Sequence, residues 1–189
     1  MAIGILCMNA CLSKHLSPRK IGSNLYNEVE AIFPMTDLSI PADGRQSEKA
    51  FDIQRGAMRM MRSYGFAPVC EHVLANGRRA DIIGLSDKGV VWIFEIKSSV
   101  EDFRTDTKWP EYQDYCDKLF FAVMPDFPTE ILPITTGLVM ADRFGGEIIK
   151  DAPEHRLAAP RRKAVTLSVG RTAALRLASA IDPDSRIQS

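Results

Sequence analysis

The segment Val90-Val-Trp-Ile-Phe-Glu-Ile-Lys-Ser-Ser99 ends an apolar run with two charges, Glu95 and Lys97, and a third, Asp81, heads the apolar run before it. Side chains alternate between the faces of an extended strand, so Val91, Ile93, Glu95 and Lys97 share one face and Trp92, Phe94, Ile96 and Ser98 the other. Asp87-Lys88-Gly89 is a turn signal that lets the two runs pair as a hairpin. Such pairing brings two carboxylates and an ammonium together. Charges on an otherwise buried strand cost on the order of several kcal/mol each unless a counter-charge or a metal compensates. A hard divalent cation supplies that compensation: Mg²⁺ takes oxygen ligands, keeps several waters and needs only one or two carboxylates from the protein. Asp81 and Glu95 meet that demand. Lys97 beside them can orient or activate an attacking water, or stabilise charge developing on a phosphate. The plainer use of the same residues is an ion pair of Lys97 with Glu95 or Asp81 at a solvated sheet edge.

The elements that must position these residues are read from periodicity. A helix is expected from Ser47 as N-cap, with Glu48 in its first turn, Ala50, Ile53, Ala57, Met58, Met61 and Tyr64 at helical spacing, and Gly65 as terminator. Its other stripe is Glu48, Asp52, Arg55, Arg59 and Arg62, a solvated face whose arginines also have the forked donors that suit phosphates. Residues 67–74, 82–85 and 90–99 read as three successive strands of an antiparallel meander. Ser98 and Glu101, three apart, have capping-box character and open a helical region that Pro110 divides, its second piece running over 110–117. Residues 118–124 are a continuous apolar run of strand length, as a buried central strand requires. Residues 136–141 and 147–150, joined by Asp142-Arg-Phe-Gly-Gly146, suggest a hairpin. Pro160 leads into a C-terminal helix with Ala164, Leu167, Ala174, Leu177 and Ala178 as packing residues. The expectation is an α/β fold with a mixed central sheet flanked by helices, in the order αβββαβ, followed by a hairpin and a helix.

An Asp at the head of one apolar strand, a tight turn, and Glu-x-Lys at the tail of the next resembles the PD-(D/E)XK nucleases, with Ala80 where a proline often stands. Longer blocks extend the likeness. Pro41-Ala-Asp-Gly-Arg-Gln-Ser-Glu48, Ala75-Asn-Gly-Arg-Arg-Ala-Asp81, the run from Glu95 to Arg104, the run from Asp106 to Asp117, and Ala152-Pro-Glu-His-Arg-Leu157 together resemble the MmcB-type DNA repair proteins of bacteria, over roughly residues 41–180. That resemblance implies a restriction-endonuclease-like fold and a role in DNA repair. It further implies Mg²⁺ or Mn²⁺ held by Asp81, Glu95 and the Ile96 carbonyl, with Lys97 acting on the water and Glu48 completing the site from the first core helix. A helix N-terminal carboxylate favoured by the dipole is the other account of Glu48. Hydrolysis by in-line attack would leave a 5′-phosphate and a 3′-hydroxyl.

Composition sets bounds. A chain of 189 residues with 46% hydrophobic and 25% charged residues is a globular domain of ordinary size. Residues 41–182 are read as the nuclease-like domain, 1–40 as an N-terminal extension and 183–189 as a tail. The net charge is zero, so affinity for DNA must come from a local patch rather than bulk charge. Arg55, Arg59, Arg78, Arg79, Lys108 and Trp109 are the candidates for that patch, the indole as a stacking platform for unpaired bases or else as core. Cys7, Cys11, Cys70 and Cys116 lack paired spacing, so they read as reduced thiols of a cytoplasmic protein. The apolar stretch 3–12 is too short to span a membrane and lacks the flanks of an export signal.

Several residues carry weaker signals. His15, His72 and His155 have no mutual metal-ligand spacing, and His155 suits a structural hydrogen bond. Ser98 and Ser99 follow the Glu-x-Lys without a histidine placed to activate them, so they read as caps. Asp114 and Asp117 are candidates to lie near the site, and Arg161-Arg-Lys163 reads as a solvated basic run. The expected partners are damaged or structured DNA and other repair proteins. Two rivals remain: a non-catalytic DNA-binding or scaffold protein on the same fold, and a nuclease of RNA.

Overall fold

Ser47 starts the first helix as the sequence requires, its hydroxyl accepting the Ala50 N–H at 3.1 Å. Helix α1 (Glu48–Ser63) buries Ile53, Ala57, Met60 and Met61, and Gly65 just past its end takes a φ of 81°. The computed structural model describes residues 47–182. The expected extension, the tail, Cys7, Cys11 and His15 therefore lie outside the described residues.

Strands β1 (Phe66–Val73), β2 (Arg79–Ser86) and β3 (Val91–Lys97) follow as an antiparallel meander. Gly89, with a φ of 74°, closes the β2–β3 turn and donates its N–H to the Ser86 carbonyl at 3.0 Å. A short helix α2 (Val100–Thr105) and a 3-10 segment (Trp109–Tyr115) then lead to β4 (Lys118–Val123). A second 3-10 turn (Thr129–Ile131) precedes β5 (Gly137–Ala141) and β6 (Gly146–Lys150), and helix α3 (Ala159–Ile181) closes the described chain. The six strands form one sheet in sequence order. β3, β4 and β5 run parallel, and β6 returns antiparallel. The mixed sheet and the αβββαβ order expected from the sequence are both present. No helix among the described residues is long and apolar enough to cross a membrane.

Strand alternation sorts the core. Ile82, Phe94, Ile96, Phe120 and Ala122 face α1, where they meet Ile53, Ala57 and Met61. Ile83, Val91, Ile93 and Leu119 face the other way, toward Tyr112, Tyr115, Val165 and Val169. Val123 and Leu138 continue that second face and pack with Phe103 of α2.

Three expectations are corrected. The capping box is shifted by one residue: Ser99 accepts the Asp102 N–H, and Asp102 accepts the Ser98 N–H, both at 3.1 Å. The segment expected as a helix over 110–117 is a 3-10 turn that stops at Tyr115, because Cys116 is extended and Asp117 is already tied to β3. Helix α3 does not pack through Leu167 and Leu177, which are 63% and 56% exposed, but through Val165 and Val169. Ala164, Ala174 and Ala178 are exposed as well.

Candidate active site

The β1–β2 ladder pairs Cys70 with Ile82 and His72 with Ala80 but passes over Glu71 and Asp81. Glu71 there adopts a left-handed φ of 51°, a conformation that costs a residue with a Cβ on the order of 1 kcal/mol or more. Arg176 of α3 braces the kink by donating to the Cys70 and Glu71 carbonyls. On its other side β2 stops pairing with β3 at Ile82↔Phe94. One more step in that register sets Asp81 across from Glu95, where the strands have parted. The Ile96 N–H, left without a strand partner, donates to Asp81 Oδ2 at 2.7 Å. The N–H and C=O of a strand residue face the same neighbour, so the Ile96 carbonyl looks into the same gap.

Glu95 and Lys97 project from the face opposite α1 and are 6% and 3% exposed. Lys97 Nζ lies 3.3 Å from Glu95 Oε1 and 2.6 Å from Asp106 Oδ2. The pairing is therefore a buried cluster on a central strand and not an ion pair at a solvated edge. Asp106, at the C-cap of α2, was not legible in the sequence as a partner of Lys97. Its other oxygen accepts the Lys108 N–H at 2.9 Å, which fixes the carboxylate in place.

The charges are poorly balanced. Burial pushes the Asp81 carboxyl up to about 7 against the pull of the Ile96 N–H and Lys97. Burial, and then the Asp81 charge, push Glu95 up to about 9. For Lys97 burial acts downward, but Glu95 and Asp106 outweigh it, so the ammonium sits above the ordinary lysine range. Asp106 is also driven upward by burial, but the hydrogen bonds from Lys97 and the Lys108 N–H leave it below the usual carboxylate value. Lys97 and Asp106 thus form the settled ion pair, while Asp81 and Glu95 are two buried carboxyls with too little positive charge. Glu95 Oε2 is buried and has no hydrogen-bond partner among the described residues.

This donor set fits one kind of metal. Among the described residues no group of three or more His, Cys, Asp or Glu side chains is gathered to hold an ion, so a closed zinc-type cage is not formed by them. Two carboxylates and a carbonyl suit a hard cation that keeps its own waters.

The other candidates are placed apart from this cluster. Glu48 is exposed at the start of α1, on the opposite face of the sheet, and no hydrogen bond or ion pair among the described residues joins it to the cluster. Arg78 is engaged with Glu111 through two hydrogen bonds, and Arg79 pairs with Glu71 at 2.5 Å. Arg59 donates to the Arg143 and Phe144 carbonyls, and the Arg55 guanidinium lies over the Phe51 ring. Trp109 packs edge-on against Phe121, 5.6 Å between centroids, so its ring serves the core. Lys108 is exposed two residues beyond Asp106.

Asp117 is corrected: it sits at the start of β4, at the far end of the sheet. There it accepts from the Val91 and Leu157 N–H groups and from Arg162. Arg162 is accordingly committed rather than solvated, and Arg161 stacks over Tyr115. His155 does make a structural hydrogen bond, through its backbone N–H to the Asp117 carbonyl at 2.7 Å. His72 is buried beside Ser168, and Cys70 and Cys116 are buried free thiols.

Fold and site together define a mixed α/β protein with a buried acidic and basic cluster where its central parallel strands end. The chain belongs to the MmcB-like DNA repair protein family, whose model matches residues 38–184. A solved structure of a protein of unknown function from Silicibacter pomeroyi is 40% identical, with a TM-score of 0.72, over 76% of this chain and 98% of that one. No curated protein matches.

Proposed function

We propose that this protein is a PD-(D/E)XK-type deoxyribonuclease of DNA repair, dependent on Mg²⁺ or Mn²⁺ and hydrolysing phosphodiester bonds. The observation that carries this reading is the unpartnered, buried Glu95 Oε2 beside a second buried carboxyl, Asp81. Two such groups are costly in an apo protein and useful in one that binds a cation. Asp81, Glu95 and the Ile96 carbonyl would hold the metal. When bound, it would supply Lewis-acid charge to the phosphate and to the attacking water.

Lys97 contributes in a way its surroundings limit. An ammonium has three donors, and two of them are directed at Glu95 and Asp106. The third is available to a water or a phosphate oxygen. Because its partners hold it above the ordinary lysine range, Lys97 acts as a fixed cation and donor, not as the base that removes a proton. Asp106 is a positioning residue that sets the direction of the Lys97 ammonium.

The test is cleavage of a labelled panel of DNA structures, with RNA counterparts, in Mg²⁺, Mn²⁺ or EDTA. Asp81→Ala and Lys97→Ala are each expected to lower metal-dependent cutting at least about 100-fold, and the ends should be 5′-phosphate and 3′-hydroxyl. Ribose-containing substrates cut in preference to DNA would favour the RNA reading. The scaffold reading draws on the intramolecular engagement of Arg59 and Arg78 and on the zero net charge. It requires that wild type bind DNA without cutting it and that Asp81→Ala change neither binding nor metal affinity.

A further inference from the structure

Phe144 stands 78% exposed at the tip of the β5–β6 hairpin. A single exposed apolar side chain is ordinary. Its support is not. Asp142 Oδ1 accepts the N–H groups of both Phe144 and Gly145, at 2.8 and 3.1 Å, and the Asp142 N–H donates to the Gly145 carbonyl. Arg59 of α1 donates to the carbonyls of Arg143 and Phe144, and Arg143 pairs with Asp52 at 3.1 Å. The tip also lies directly on the helix backbone: a Cβ on Gly56 would be 1.9 Å from the Asp142 carbonyl oxygen. A glycine inside a helix costs about 1 kcal/mol, and here it permits that approach.

The register places this tip relative to the cluster. Lys97 pairs with Val123, and Val123 with Met140, so one row crosses the sheet from the cluster to the last residues of β5. The tip lies just beyond that row and two strands across, about 10 Å from the Lys97 backbone in the sheet direction. That is within the width of a DNA major groove, about 12 Å. Arg55, Arg59 and Arg143 outnumber Asp52 and Asp142 around the ring, which suits a polyanion. The ring also stands alone among polar side chains, whereas a protein partner is met by a contiguous apolar patch.

We propose that Phe144 is a wedge that stacks on an unpaired or unstacked base of the DNA bound at the Asp81–Glu95–Lys97 site, so that the protein selects distorted over regular duplex. This rests on the DNA-cleaving function proposed above. Apolar side chains inserted at base steps act this way in proteins that kink DNA, and a ring fixed beforehand loses little entropy on stacking.

Binding by wild type, Phe144→Ala, Phe144→Trp and Asp81→Ala is measured in EDTA, on a regular duplex and on one carrying a single unpaired 2-aminopurine. Wild type should prefer the unpaired base and quench its fluorescence. Phe144→Ala should lose about tenfold in affinity on that duplex with little change on the regular one, and Phe144→Trp should keep the preference. This result supports the wedge whether or not the protein later proves to cut. A Phe144→Ala protein with wild-type preference and quenching overturns the wedge, and leaves the nuclease reading standing if Asp81→Ala has lost cleavage. Wild type that binds neither duplex overturns both.

Discussion

At Glu95 two demands of physical chemistry conflict: the strand that carries it is central and buried, and its neighbour across the gap is another carboxyl. A carboxyl whose folded pKa is raised keeps its proton longer in the folded chain than in the unfolded one, so stability falls as pH rises between the two values. The unfolded value is about 4, and the folded values are about 7 for Asp81 and about 9 for Glu95. The metal-free protein is therefore expected to lose thermal stability steadily from about pH 5 to about pH 9. Glu95→Gln should remove the upper part of that fall. Mg²⁺ should restore wild type at the alkaline end and do little for the variant, since cation and proton compete for the same oxygens. Melting curves in EDTA and in Mg²⁺ test this, and a wild-type melting temperature that holds level over that range counts against the assignment. The Asp, Glu and Lys of the cluster were legible because alternation along a strand and a three-residue turn fix their neighbours. Asp106 was not, since its approach to Lys97 depends on how α2 ends and on the Lys108 N–H that holds it.

At the scale of elements, α1 is both a core helix and a platform for the β5–β6 tip. Ile53, Ala57 and Met61 pack on the sheet, while Gly56 and Arg59 take the hairpin's carbonyls. Gly56→Ala removes a helix penalty of about 1 kcal/mol but forces a methyl into two carbonyl oxygens, so the hairpin must move. Overpacking of this kind is expected to destabilise by a net 1–3 kcal/mol, roughly, with amide protection lost first in β5 and β6. Urea unfolding and hydrogen exchange would measure both, and a Gly56→Ala protein as stable as wild type would show that the close approach is not required. Periodicity located α1 correctly because its buried face is apolar. It failed on α3 because the face that touches the sheet mixes chemistries: Arg162, Val165, Val169 and Arg176 lie on one side, and two of the four are arginines donating to backbone or carboxylate. A reading based on hydrophobicity follows the leucines instead, and those face solvent.

Across the whole molecule, the two ends of the sheet use buried carboxylates for opposite purposes. At one end Asp81 and Glu95 lack enough donors. At the other Asp117 is fully supplied: the Val91 and Leu157 N–H groups and both Arg162 nitrogens donate to its oxygens, at 2.7–3.1 Å. Burial raises its pKa, but these donors overcome that and leave it below the usual carboxylate value. The residue ties β3, β4, the segment before α3 and α3 itself to one point, and α3 in turn braces the kink beside Asp81 through Arg176. A depressed folded pKa gives stability that is present above the unfolded value and lost as pH falls through the folded one, the reverse of the slope set by Glu95. Asp117→Ala would strand two buried N–H groups and a part-buried guanidinium, at an expected cost of about 3–5 kcal/mol. It should also abolish the part of acid unfolding that this clamp produces. If α3 transmits the clamp to the kink, metal affinity at Asp81 and Glu95 should weaken in the Asp117→Ala protein even under conditions where it stays folded. Calorimetric Mg²⁺ titration of that variant separates the two ends: unchanged affinity in a destabilised protein would mean that the clamp holds the fold alone, and that the active site is built locally by β2, β3 and α2.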